Sequence, residues 1–258
     1  MAPARRAVPL AKPATGAQAA ALVGSIATSE GRIGVVESGG GDAVPIVFLH
    51  GVGSDKSVWR PQLDHFGRSR RAIAFDYPGY GDSDPVSPDA TRDDFARALV
   101  AALDALGIDR AHVCGLSLGG VIAIAMHAAA PDRCASLVLA DSFAVHPDGP
   151  AIYKRAVDGS RSSGLRAVAE QRAPMLLAPD AGEPIRDEVI ATMAAIDPQA
   201  YEVGARAVWL ADLVPGASLQ VIANASHLAN LDKPAEFNAA IDAFIFEMER
   251  NSRGLPAA

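Results

Sequence analysis

The chain has 258 residues, of which 50% are hydrophobic, 5% aromatic and 21% charged. That is enough length and apolar mass for one large α/β domain or two small ones without disulfide or metal staples, and it excludes intrinsic disorder. Its 23 Lys plus Arg against 30 Asp plus Glu give a net charge of −7, which repels nucleic acid and anionic membrane, so neither is expected as a partner.

At the start, Arg5-Arg6 followed by the run from Ala17 to Val23 has something of a secretory leader's layout. Pro9, Lys12 and Pro13 interrupt the apolar region, and residues 1–22 read as a flexible lead. Ser25–Thr28 and Ile33–Glu37 form an expected hairpin, and Gly39-Gly40-Gly41 breaks the chain before the next strand. Four short, continuously apolar runs follow: Pro45–Leu49, Arg71–Phe75, Ala111–Cys114 and Ser136–Ala140. Continuous apolar runs imply strands covered on both faces. Between them lie helical patterns at Asp93–Leu106, with Phe95, Leu99, Leu103 and Leu106 on one stripe, and at Leu118–Ala130. Alternating strands and helices predict a doubly wound, mostly parallel sheet.

After Asp141 only helical spacing is visible for about 70 residues, with Pro147, Pro150, Pro174, Pro179, Pro184 and Pro198 as punctuation. One further strand, Ser218–Ala223, precedes a final helix with the stripe Phe237, Ile241, Phe244, Ile245 and Met248. The expected organisation is therefore a core of residues 23–141 and 213–258 with an inserted helical segment, 142–212. The two cysteines, Cys114 and Cys134, sit in apolar stretches and read as reduced, buried thiols, as in a cytoplasmic protein. The best candidate for a membrane span, Gly119–Ala130, holds His127, stops at Pro131 and falls short of the roughly 18 residues required.

The strongest chemical signal is Gly115-Leu116-Ser117-Leu118-Gly119-Gly120, directly after a strand and directly before a helix. It fits the G-x-S-x-G nucleophile elbow, a strained turn that exposes a serine hydroxyl and needs small neighbours where strand and helix backbones approach. Two further motifs accompany it. His50-Gly51-Val52-Gly53, with Trp59 beyond, follows the Pro45–Leu49 strand, and Asp76-Tyr77-Pro78-Gly79-Tyr80-Gly81-Asp82-Ser83 follows the Arg71–Phe75 strand. In this order and spacing the three motifs resemble the α/β-hydrolase superfamily, over residues 25–141 and again from 218 to 248.

The resemblance implies acyl transfer from Ser117, with the backbone N–H groups of Val52 and Leu118 as oxyanion donors. His50 then orients its loop and is not the base. The family carries its base where Ser226-His227-Leu228 stands, after the Ser218–Ala223 strand, which makes His227 the expected general base. The sequence departs from the family in one respect. The family's acid-bearing strand, of the type P-T-L-V-x-x-G-x-x-D, has no counterpart between Asp141 and Ser218, and Ala211-Asp212 runs directly into Leu213-Val214-Pro215-Gly216. The sheet is therefore expected to have one strand fewer than usual. Asp141, at the carboxyl end of the Ser136–Ala140 strand, is the first candidate for a replacement acid, and Asp212 the second. Without an acid, turnover in such triads falls by roughly 10⁴, and with the acid displaced or missing weak catalysis is the expectation.

The motifs look most like those of 3-oxoadipate enol-lactonases and neighbouring carboxylesterases, implying a small ester or lactone substrate. Hydrolases of carbon–carbon bonds share the same serine and histidine, and a non-catalytic, ligand-binding member of the fold is the alternative of a different class. Ser117 argues against the dehalogenases and epoxide hydrolases, which use Asp. No phosphate loop and no metal-ligand spacing is present in the sequence, so no cofactor or metal is expected. Arg161, Arg166 and Arg172 are open between pairing with a substrate carboxylate and lying on solvated helix faces.

Overall fold

The computed structural model describes residues 22–143, 146, 148–210 and 227–252. Residues 1–21 of the expected lead, the strand Ser218–Ala223, the turn Leu213–Gly216 and the candidate acid Asp212 lie outside the described residues, whereas Leu22, the last residue of that lead, opens the first strand.

Among the described residues six strands form one sheet: β1 (Leu22–Thr28), β2 (Gly31–Ser38), β3 (Ile46–Leu49), β4 (Ala72–Phe75), β5 (Ala111–Leu116) and β6 (Cys134–Ala140), in the order β1-β2-β4-β3-β5-β6. The hairpin β1–β2 is antiparallel, as is β2 to β4, whereas β4, β3, β5 and β6 run parallel. Parallel pairing needs a crossover over one face of the sheet. The first, α1 (Arg60–Phe66), leads from β3 to β4; α2 (Arg92–Ala105) leads from β4 to β5; and α3 (Leu118–Ala129) leads from β5 to β6. Strand β3 is central, with Ile46 in register with Ala72 on one side and His112 on the other.

Period-two alternation divides the apolar runs between two layers of core. Val47, Leu49, Ile73, Phe75 and Val113 pack with Phe95, Leu99 and Leu103 of α2 and with Val121 and Ile122 of α3. Ile46, Phe48, Ala72, Ala74 and Cys114 face the other way, against Trp59, Leu63 and Phe66 and against Phe237, Ile241 and Ile245 of the last helix. Helix α2 starts on a reciprocal cap in which the Asp94 N–H donates to Thr91 Oγ1 and the Thr91 N–H donates to Asp94 Oδ2.

Between β6 and the last strand expected from sequence stand three helices, α4 (Gly149–Leu176), α5 (Glu183–Ala194) and α6 (Pro198–Trp209). The short α7 (Ala229–Asp232) and the long α8 (Pro234–Ser252) come after them. Pro150, Pro184 and Pro198 fall in the first turns of α4, α5 and α6, where a missing N–H costs nothing. Pro174 departs from its expected role as a break: it lies inside α4, whose interruption is a kink at Gly164, with φ 77° and ψ 160°.

Candidate active site

Strand β5 ends at Leu116 and α3 begins at Leu118, so Ser117 alone makes the turn, at φ 54° and ψ −114°. A non-glycine residue reaches such an angle only when its surroundings hold it there. Here they do. The Ser117 N–H donates to the Ala140 carbonyl at 3.0 Å, and the Ser117 carbonyl accepts from Ser142 Oγ at 2.8 Å and from the Gly120 N–H at 3.0 Å. The flanking glycines are steric requirements. A Cβ on Gly115 would stand 2.2 Å from the Gly119 carbonyl, and one on Gly119 would stand 2.1 Å from the Leu49 carbonyl oxygen.

Leu118 is the first residue of α3, where the N–H has no partner within the helix. Val52 follows β3 on the neighbouring loop, and a Cβ on the preceding Gly51 would lie 3.6 Å from Ser117 Cβ. That loop is built on His50, which is fully buried, with its Nδ1 2.8 Å from the Gly51 carbonyl and its ring against Tyr77 and Tyr80. Nδ1 therefore carries the proton, and burial lowers the pKa of the ring, which keeps it neutral. Tyr77 Oη donates to the His50 carbonyl at 2.8 Å, and Tyr80 Oη lies 3.3 Å from the Val52 carbonyl and 3.1 Å from the Ala200 carbonyl of α6. Both phenols are pushed up by burial and stay protonated.

The Asp76 turn is a packing device at this end of the sheet. Asp76 is fully buried and accepts from the Lys56 N–H, from Lys56 Nζ at 2.6 Å and from the Asp82 N–H. Burial opposes the Lys56 charge, but Asp76 and Asp82 outweigh it and hold the ammonium above its usual pKa.

Asp141 follows β6 directly, at φ 40°. Among the described residues it and Ser117 are the two non-glycine positions with positive φ. Its Oδ2 is in hydrogen-bond contact with His227 Nδ1. The segment from Leu228 to Asp232 anchors His227 to its surroundings. The Leu228 N–H donates to the Leu176 carbonyl at the end of α4, the Ala178 N–H donates to the Asp232 carboxylate, and buried Asn230 donates to the Val58 carbonyl at 3.0 Å. No hydrogen bond among the described residues joins Ser117 Oγ to the His227 ring.

Beside His227 lies a small cleft open to solvent, with a cavity volume of about 40 Å³. Its walls come from Gly51, Val52 and Val58, from Arg172 and Leu176 of α4, from Glu188, Val189 and Thr192 of α5, and from Leu228 and Leu231. Ser117, 3% exposed, is not part of the wall. Sequence reasoning did not reach Ser142, Glu188 or Thr192; Val189 and Thr192 are three apart on one face of α5, a spacing shared by every amphipathic helix. The other histidines lie elsewhere: His65 pairs with Asp242, His112 contacts Ser136 and Glu249, His127 is on α3, and His146 packs on Phe143 and Trp209. Among the described residues no three His, Cys, Asp or Glu side chains converge on a point that could hold a metal, and no helix is long and apolar enough to cross a membrane.

Comparisons with known proteins agree with this architecture. A family model described as alpha/beta hydrolase fold matches residues 44–167. The crystal structure of the enol-lactonase from Burkholderia xenovorans LB400 superposes with a TM-score of 0.76 at 22% identity, covering 86% of this chain and 99% of that one. The chain has the α/β-hydrolase fold. Among curated proteins it is 25% identical over 255 residues to 3-oxoadipate enol-lactonase 1 of Acinetobacter baylyi, taking in 85% of this chain and 96% of that protein. It is also 33% identical over 137 residues to the dihydrolipoyllysine-residue acetyltransferase component of the acetoin cleaving system of Pseudomonas putida. That match takes in 53% of this chain, and spans only 35% of the length of the relative.

Proposed function

We propose that the protein is a serine hydrolase that cleaves an ester or lactone bond of a small molecule, with Ser117 as nucleophile, His227 as general base and Asp141 as the acid. The observation that carries the reading is the backbone of Ser117, held at positive φ between a buried strand and a helix N-terminus. The contact of Asp141 with His227 Nδ1 supports the choice of acid, and the enol-lactonase relative supports the bond type. In this reading α4, α5 and α6 are a cap inserted in the core.

Ser117 Oγ attacks the substrate carbonyl carbon as its proton passes to His227 Nε2. Asp141 accepts from Nδ1–H and stabilises the imidazolium. The oxyanion is met by the Val52 and Leu118 N–H groups, each donor contributing about 3 kcal/mol in comparable sites. Collapse breaks the carbon–oxygen bond, and the departing alkoxide takes the proton from His227 Nε2. Water then attacks the acyl-enzyme, gives its proton to His227 and releases the carboxylic acid as Ser117 is reprotonated. The sum is ester plus water to acid plus alcohol.

A second reading, a ligand-binding protein of the same fold, is favoured by the missing link between Ser117 Oγ and His227, although such bonds often tighten only with substrate bound. Reaction with a fluorophosphonate together with turnover of a chromogenic short-chain ester separates the two. A hydrolase gives both signals, and a protein that gives neither is not one.

A further inference from the structure

We infer that the substrate carries a carboxylate at the end remote from its scissile bond, and that Arg172 binds it. This rests on the hydrolase reading above and names the substrate class of the same cleft. The cleft is walled by six aliphatic side chains and by Ser54, Ser57, Thr192 and His227, and contains two further charged groups, Glu188 and Arg172. Glu188 is already neutralised, because Arg60 donates to both its oxygens at 3.0 and 2.9 Å. Arg172 is not. Of its five donors one, on Nη1, reaches Tyr201 Oη at 3.3 Å, and no carboxylate of a described residue lies within ion-pair distance.

The other two cap arginines show what a paired surface arginine looks like here. Arg161 holds both oxygens of Glu202 at 2.7 and 2.6 Å, Arg166 lies 4.0 Å from Glu170, both are exposed, and neither lines the cleft. A half-buried guanidinium facing a cleft, without an anion from any described residue, is a preformed seat for a planar, two-oxygen ligand. A single negative charge matches it. A phosphate would bring nearly two charges beside Glu188, with one unpaired cation to meet them. Arg172 stands one turn before Leu176, whose carbonyl accepts from the Leu228 N–H beside His227, so the arginine and the histidine segment belong to the same cleft.

The test compares para-nitrophenyl hydrogen glutarate with para-nitrophenyl pentanoate, which has the same chain with a methyl group in place of the carboxylate. The wild-type protein is expected to prefer the glutarate ester in kcat/KM. Arg172→Gln is expected to lower the glutarate-to-pentanoate ratio roughly 10- to 100-fold, as loss of a charge-assisted pair implies. Arg172→Lys, which keeps the charge and loses the fork, should fall between, and guards against a glutamine variant that does not fold. Arg166→Gln should leave the ratio unchanged. A wild-type ratio below one, or a ratio that Arg172→Gln does not move, overturns the inference while leaving the hydrolase reading intact. If neither ester is turned over, the hydrolase reading fails. Calorimetric titration with glutarate then decides for the arginine alone: binding weakened in Arg172→Gln supports a carboxylate seat, and equal or absent binding removes it.

Discussion

The two halves of the proposed catalytic machinery are built in different ways. On one side, Ser117 sits between the buried β5 and α3, at 3% exposure, fixed by backbone hydrogen bonds and by glycines that no other residue can replace without a collision. On the other, Asp141 leaves the end of β6, its side chain is 54% exposed, and it meets His227 across 86 residues of chain through a single side-chain contact. The serine is placed by packing, and the acid by one hydrogen bond at the last strand of the described sheet. A nucleophile of the first kind should tolerate little change in its surroundings, whereas an acid of the second kind should be separable from the stability of the fold.

Four measurements break or sharpen that contrast. The largest effect is expected of Ser117→Ala, which should lower kcat by about 10⁶ and abolish fluorophosphonate labelling. Persistent labelling at another serine would move the nucleophile elsewhere. Asp141→Asn should lower kcat by about 10⁴ through the histidine tautomer, with an unchanged melting temperature. An unaltered rate would mean that the contact with His227 has no catalytic part. Gly119→Ala should act on the fold before it acts on chemistry, destabilising it by roughly 3 kcal/mol in denaturant unfolding, the upper range for an overpacked core. A normal unfolding midpoint would show that the elbow is looser than its backbone suggests.

The smallest effect concerns pH. Burial lowers the pKa of His50 and of His112 in the folded protein, whereas the unfolded chain binds protons at about 6.5. The unfolded state therefore holds more protons below that value. Stability should be level above about pH 6.5 and fall as pH drops towards about 5. A melting temperature that rises on acidification over that window would reverse the sign, and His112→Gln should flatten the slope.

Much of the fold is legible in the sequence because its signals are local. Val47 and Leu49 against Ile46 and Phe48 are a buried strand read residue by residue, and the Phe95, Leu99, Leu103 stripe of α2 packs as its spacing requires. The strand ends moved by one to three residues, as β1 begins at Leu22 and not at Ser25, and β6 at Cys134 and not at Ser136. The position of Ser117 is legible for the same reason, since the turn is specified by its own glycines. The surroundings of Arg172 are not. Arg161, Arg166 and Arg172 are equivalent as residues on a helix, and only the partners Glu202 and Glu170 and the packing of α4 over the cleft tell them apart. Nor does any spacing announce that Arg60 spends its charge on Glu188.

Tyr80 ties α6 to the Val52 loop in a way that bears on motion. A Cβ on Gly204 would lie 2.1 Å from Tyr80 Oη and 3.2 Å from Val52 Cγ2, so α6 rests against both the phenol and the loop. That phenol in turn reaches the carbonyls of Val52 and Ala200. Helix α6 thus acts as a strut braced on residue 52, and lifting it would drag the Val52 backbone, the proposed oxyanion donor. Helix α5, which lines the cleft, is by contrast pinned to α1 by the half-exposed Arg60–Glu188 pair. Such a pair is weakened by salt, and the ease with which the cleft opens should follow ionic strength at that latch.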